Sequence, residues 1–156
     1  MTGNTSKPYS ILFVCHGNIC RSTMAEFVMK DLVDKAGLTD HFHIESAATS
    51  ADELGNPVYP GTKKILDRLG IDCSAKRARR ITIDDYANFD LIIGMDDENM
   101  RNLRAKYHND PEHKIHLLLE YTGANRAIAD PWYTGDFEAT YRDVDAGCRA
   151  LLNQLR

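Results

Sequence analysis

Four apolar residues in a row, Ile11-Leu12-Phe13-Val14, run directly into Cys15-His16-Gly17-Asn18-Ile19-Cys20-Arg21-Ser22-Thr23. Met24-Ala25-Glu26-Phe27-Val28-Met29 follows, with apolar residues at helical spacing. The order is buried strand, tight loop, helix. A helix that begins where a strand ends collects unpaired backbone N–H groups and the positive end of the helix dipole. Such a junction is an anion site, and this one holds a thiol and an arginine on the same short loop.

The rest of the chain repeats the alternation. The first helix is expected over about 21–36, with Met24, Phe27, Val28, Leu32 and Val33 as its apolar stripe and Gly37 as its left-handed stop. A second strand is expected over 41–46, and Ala47-Ala48-Thr49-Ser50-Ala51 is a small-residue loop suited to close approach by another segment. A helix over 59–69 turns Ile65, Leu66 and Leu69 inward and stops at Gly70. Strands follow at 89–94 and 114–119, separated by a helix from Asp96, its N-cap, to about Lys106. The last helix starts near Gly135-Asp136, with Tyr141, Val144, Cys148, Leu151, Leu152 and Leu155 on one stripe.

Strand–helix alternation of this kind implies an α/β fold. The expected form is a three-layer α/β/α arrangement on a four-stranded parallel sheet, flavodoxin-like or Rossmann-like. In such sheets ligands sit beyond the carboxyl ends of the strands at a topological switch point, which is where the first loop lies. Residues 9–156 are expected to form one domain behind a loose polar tail, 1–8.

Composition narrows the function. A net charge of −4 disfavours nucleic acid as a partner. No apolar run reaches the roughly 20 residues of a membrane span, so no membrane partner is expected. Four scattered cysteines are too few for a disulfide framework, which points to a reducing, cytoplasmic setting.

The loop between Cys15 and Arg21 is long enough for its N–H groups to converge on a tetrahedral anion. Arg21 adds a planar fork matched to two of that anion's oxygens. Cys15 then sits beneath the anion, beside a helix N-terminus and a guanidinium that favour its thiolate. A thiolate under a phosphoryl group is placed for in-line attack. Gly17 leaves room for the anion or permits a positive φ, and Asn18 tolerates the left-handed region. Ser22 can direct its hydroxyl at the sulfur. Cleavage of a phosphoester also needs a proton for the leaving oxygen. Asp130, stiffened by Pro131 and followed by Trp132 and Tyr133 as walls for an aromatic group, is the candidate donor. The basic run Lys76-Arg77-Ala78-Arg79-Arg80 has two readings, a solvated linker or an anion-facing rim.

With both motifs in register, the sequence resembles the low-molecular-weight protein tyrosine phosphatases from about Tyr9 to the C-terminus. The likeness rests on Phe13-Val14-Cys15, Gly17-Asn18-Ile19-Cys20-Arg21-Ser22, Met24-Ala25-Glu26, Ser46-Ala47, Arg77-Ala78-Arg79, Met95-Asp96 and Asp130-Pro131-Trp132-Tyr133. The resemblance implies hydrolysis of phosphotyrosine in a protein substrate through a phosphocysteine, with Cys15 as nucleophile, Arg21 as clamp and Asp130 as general acid and later base. It implies a phosphate-binding loop of His16, Gly17, Asn18, Ile19, Cys20, Arg21 and Ser22, and a cleft lined by Trp132, Tyr133 and Asp52. It implies no metal and no cofactor, and a monomer or weak dimer. Cys20 would be the second loop cysteine, able to trap oxidised Cys15 as a reversible disulfide.

The chain departs from the family pattern in places. Thr23 replaces a common proline, and Ala48 a usual glycine. Asp52 and Glu53 fall where an aromatic wall is frequent, and Lys76 takes the place of a frequent histidine. His16 stands where an apolar residue is common, either to assist the thiolate or to face solvent. A thiol-dependent arsenate reductase shares this fold and anion loop, but its chemistry needs a relay of further cysteines, and only Cys73 and Cys148 are on offer. A catalytically idle anion-binding domain would not need nucleophile, arginine and acid together. A zinc site has no second ligand pair at finger-like spacing.

Overall fold

A computed structural model describes residues 7–156. The expected tail lies outside the described residues up to residue 6, and Lys7 and Pro8 are exposed ahead of the first strand. The strands are β1 (Tyr9–Cys15), β2 (Phe42–Ala48), β3 (Leu91–Gly94) and β4 (Ile115–Leu117), all parallel, in the order β2-β1-β3-β4. The helices are α1 (Arg21–Lys35), α2 (Pro60–Arg68), α3 (Asp85–Asn88), α4 (Asp97–Lys106), α5 (Pro131–Thr134) and α6 (Phe137–Leu155).

Ile11, Leu12, Phe13 and Val14 are fully buried because β1 is central and covered on both faces. Ile11 and Phe13 pack with Met24, Val28 and Met29 of α1 and Val144, Cys148 and Leu151 of α6. Leu12 and Val14 point the other way, into Met100, Leu103 and Tyr107. The alternation along one strand thus builds the three layers expected from the sequence. The chain reverses its direction of travel across the sheet between β1 and β3, so the carboxyl ends of these two strands flank the switch point.

Helix boundaries fall close to expectation, and Gly37 and Gly70 take left-handed φ of 73° and 76° after α1 and α2. β3 begins at Leu91 rather than Phe89, and β4 ends at Leu117, where a 3-10 turn over Leu118–Thr122 takes over. Leu69 faces outward, 38% exposed, because α2 ends at Arg68 and its last turn passes the edge of the core. The single-turn helices α3 and α5 were not expected, being too short to leave a periodic signal.

Candidate active site

Cys15 ends β1 and is buried. Among the described residues, nothing accepts a hydrogen bond from the backbone N–H groups of Gly17, Asn18, Ile19 or Cys20, which follow it into α1. The turn is made by Asn18 at φ 59°, while Gly17 keeps an ordinary φ. What Gly17 provides is space, since a Cβ there would lie 3.3 Å from Cγ of Glu53.

Beneath the loop runs a chain of polar contacts. Ser22 Oγ lies 3.0 Å from the Cys15 sulfur, and the Ser22 N–H points at the same atom from 3.4 Å. Asn18 Nδ2 donates to Ser22 Oγ at 2.8 Å and to Ser46 Oγ at 2.9 Å, while its Oδ1 accepts the Arg79 N–H. Ser46 Oγ in turn donates to the buried carboxylate of Glu26. Lys76 closes the chain: its ammonium donates to the Ser46 carbonyl at 2.8 Å and stands 3.5 Å from Glu26.

Arg21, first residue of α1, is 2% exposed, and its two Nη atoms are held by the protein. Its Nη1 donates to Asp96 Oδ2 at 2.7 Å and to the Ile128 carbonyl at 2.9 Å, and Nη2 reaches Asp130 Oδ2 at 3.4 Å. Burial works against its charge, but Cys15, Asp96 and Asp130 outweigh this and hold it above the usual guanidinium range. Asp96 has two duties, because its Oδ1 also caps α4 through the Asn99 N–H. Asp130 is the N-cap of α5, its Oδ1 accepting the Trp132 N–H at 3.0 Å.

These groups meet in a cavity of about 250 Å³ lined by Cys15, His16, Gly17, Ile19, Cys20, Arg21, Asp52, Glu53, Asp130, Trp132 and Tyr133. The structure therefore brings together Cys15, Arg21 and Asp130, together with the walls Trp132, Tyr133 and Asp52. Asn18 and Ser22 stand behind the loop rather than on the cavity wall. His16 turns to the rim, where its ring bonds Asp52 at 2.8 Å and lies 3.7 Å from Glu98. The basic run divides: Lys76 and Arg79 are spent on Ser46, Glu26, Asp85 and Glu45, while Arg77 and Arg80 stay exposed and bond only backbone carbonyls.

Ser46, Glu26 and Asp96 carry the support of the site, and sequence reasoning gave none of them that task. Asp96, directly beyond the β3 carboxyl end, was the one with a readable position. Cys20 is a buried thiol whose pKa is pushed up to about 12, first by burial and then by Cys15 and Asp130. Cys73 and Cys148 are buried in the main core, so neither presents its thiol at the surface.

Fold and site together define a cysteine-dependent phosphoryl-transfer enzyme built at the switch point of a parallel sheet. Residues 10–156 match the low molecular weight phosphotyrosine protein phosphatase family. The chain is 40% identical over 149 residues to the low molecular weight protein-tyrosine-phosphatase YfkJ of Bacillus subtilis, covering 94% of this chain and 96% of that one. It is 41% identical over 150 residues to the human low molecular weight phosphotyrosine protein phosphatase, covering 93% and 94%. The crystal structure of YfkJ superposes with a TM-score of 0.94 over 97% of each chain. The chain belongs to the low molecular weight phosphotyrosine protein phosphatase family and is a protein tyrosine phosphatase.

Proposed function

We propose that residues 9–156 act as one domain that hydrolyses phosphotyrosine in protein substrates, and aryl phosphates, by way of a phosphocysteine. The carrying observation is that the Cys15 sulfur, the Arg21 guanidinium and the Asp130 carboxyl open onto one cavity. The phosphate dianion enters against the free N–H groups of the loop and the Arg21 fork. Cys15 attacks phosphorus as the P–O bond to the tyrosyl oxygen breaks, and Asp130 gives that oxygen its proton. Asp130, now a carboxylate, takes a proton from water as the water attacks the phosphocysteine. The P–S bond breaks, returning the thiolate and inorganic phosphate. Ser22 supports the sulfur both when it attacks and when it leaves, and Trp132 and Tyr133 flank the aryl ring.

Hydrolysis of an aryl phosphate by the parent, Cys15→Ser and Asp130→Ala enzymes tests this reading. Cys15→Ser is expected to abolish turnover, and activity surviving that change overturns the mechanism.

A further inference from the structure

Tyr59 belongs to neither catalytic segment, yet it touches both. It precedes α2 as the N-cap, and its N–H donates to the Ile19 carbonyl of the phosphate loop at 2.9 Å. Three residues on, Thr62 Oγ1 donates to the Cys20 carbonyl at 3.1 Å, so the start of α2 is docked under the loop. On its other side the Tyr59 ring stacks on Phe137, centroids 5.7 Å apart and planes 10° apart. It also meets Trp132 edge-on, with centroids 5.2 Å apart.

Trp132 is the residue whose N–H holds Asp130 Oδ1, so the ring contact and the carboxylate share one backbone unit. Apart from the Arg21 contact to Asp130 Oδ2 at 3.4 Å and the buried Pro131, the unit is open to solvent. α5 is a single turn, Trp132 is 54% and Tyr133 85% exposed, and Gly135 follows at φ 72°. One turn of helix has no stability of its own. The stack is closely fitted from behind, since a Cβ on Gly61 would fall 2.5 Å from the Phe137 ring.

We propose that Tyr59, backed by Phe137 across Gly61, is a positioning residue that sets Asp130 over the leaving oxygen in register with the phosphate loop. The ring does this by packing alone, as its hydroxyl makes no hydrogen bond among the described residues. It works through Trp132 and does not touch the reacting atoms. The inference rests on Asp130 being the general acid.

The test compares kcat/KM for phenyl phosphate, whose phenolate needs a proton to leave, with p-nitrophenyl phosphate, whose phenolate leaves unaided. Loss of folded enzyme lowers both values equally, whereas a displaced acid lowers the first selectively. Tyr59→Ala is expected to reduce the phenyl phosphate value on the order of 10–100-fold, the range for a catalytic group misplaced by about an ångström, with a much smaller change for the nitrophenyl ester. Tyr59→Phe keeps the ring and is expected to restore the parent ratio. Gly61→Ala, which presses on Phe137 from outside both segments, is expected to shift the ratio in the same direction and serves if Tyr59→Ala does not fold. Equal losses on both esters, or an unchanged ratio in Tyr59→Ala and Gly61→Ala, overturn the proposal. Asp130→Asn run alongside separates the two levels. If it too leaves the ratio unchanged, the general-acid assignment itself fails; if it shifts the ratio and the stack variants do not, only the role of Tyr59 is lost.

Discussion

Ser22 Oγ stands 3.0 Å from the Cys15 sulfur and is itself held by Asn18 Nδ2 at 2.8 Å. With Asn18 donating to it, the Ser22 hydroxyl keeps its own proton for the sulfur, and the Cys15 sulfur has a fixed donor below it. A hydrogen bond to a charged group is worth roughly 1.5–3 kcal/mol, and about 1.4 kcal/mol is a factor of ten in rate. Ser22→Ala is therefore expected to lower kcat for an aryl phosphate by about 10–100-fold, with KM changed less, because Arg21 and the loop N–H groups remain. A fall confined to KM would contradict this.

Asn18 combines that role with a left-handed backbone at φ 59°. Asn18→Gly keeps the conformation and loses the amide bonds, while Asn18→Ala loses both. The difference in their unfolding free energies is expected to be about 1–2 kcal/mol in favour of glycine, the cost of a Cβ in that region. Thermal or denaturant unfolding of the two variants measures it directly.

Lys76 is largely buried beside Glu26, which is 4% exposed and also takes Lys30 at 2.6 Å. Lys76→Met removes one of two cations from a carboxylate that cannot return to water, and leaves the Ser46 carbonyl without its donor. The expected loss is about 1–3 kcal/mol, or about 2–4 °C in Tm per kcal/mol for a chain of this size. The full 3–5 kcal/mol of a broken buried pair is not expected, because Lys30 remains. Adding Glu26→Gln should recover part of the loss, and a double-mutant cycle without favourable coupling would show that the two side chains act independently.

The strand–loop–helix junction was legible in the sequence because its information is local: β1, the loop and the start of α1 are contiguous, and Cys15, Arg21 and Ser22 are fixed by backbone connectivity. Asp130 with its two aromatics was legible as a dense chemical motif. What escaped are relationships across the fold. Lys76 meets Ser46 thirty positions away, and Tyr59 meets Trp132 only because the fold brings the start of α2 against α5. Neither leaves a periodicity, so the basic run read as a surface feature although Lys76 and Arg79 are structural ties. Leu69 was misplaced for the opposite reason: the helical pattern continued one position beyond the helix.

Buried acids that hold their protons in the fold make stability fall at alkaline pH. Cys20 is raised from its ordinary 9.0 to about 12, chiefly by burial, and burial also raises Cys148, Tyr107 and Tyr121. In the unfolded chain these groups lose protons from about pH 8.5 to 10. From the start of that range upward the unfolded state binds fewer protons than the folded one, so the slope of stability against pH is negative. Their contribution is complete below about pH 8 and is lost as pH climbs toward the folded values. Tm measured at fixed ionic strength is expected to fall steadily between about pH 9 and 11, and a flat profile there would refute the burial argument.

At the cavity mouth, Trp132 is half-buried against Tyr59 while Tyr133 is 85% exposed. A wall held in place on the free enzyme loses little freedom when an aryl ring docks on it, whereas a solvated ring must be ordered at that moment. Binding by Trp132 is therefore expected to matter more. Trp132→Phe, which retains an aromatic contact with Tyr59, is expected to raise KM for phosphotyrosine about threefold, and Tyr133→Ala by no more than about twofold, with the gap set by the roughly 0.5–1.5 kcal/mol of an aromatic pair. Because the Tyr133 side chain neither packs on Tyr59 nor acts only in the transition state, kcat in Tyr133→Ala should stay near the parent value. A kcat loss in Tyr133→Ala equal to that of Asp130→Ala would instead place the Tyr133 hydroxyl among the reacting groups, and would require the wall to be reassigned as machinery.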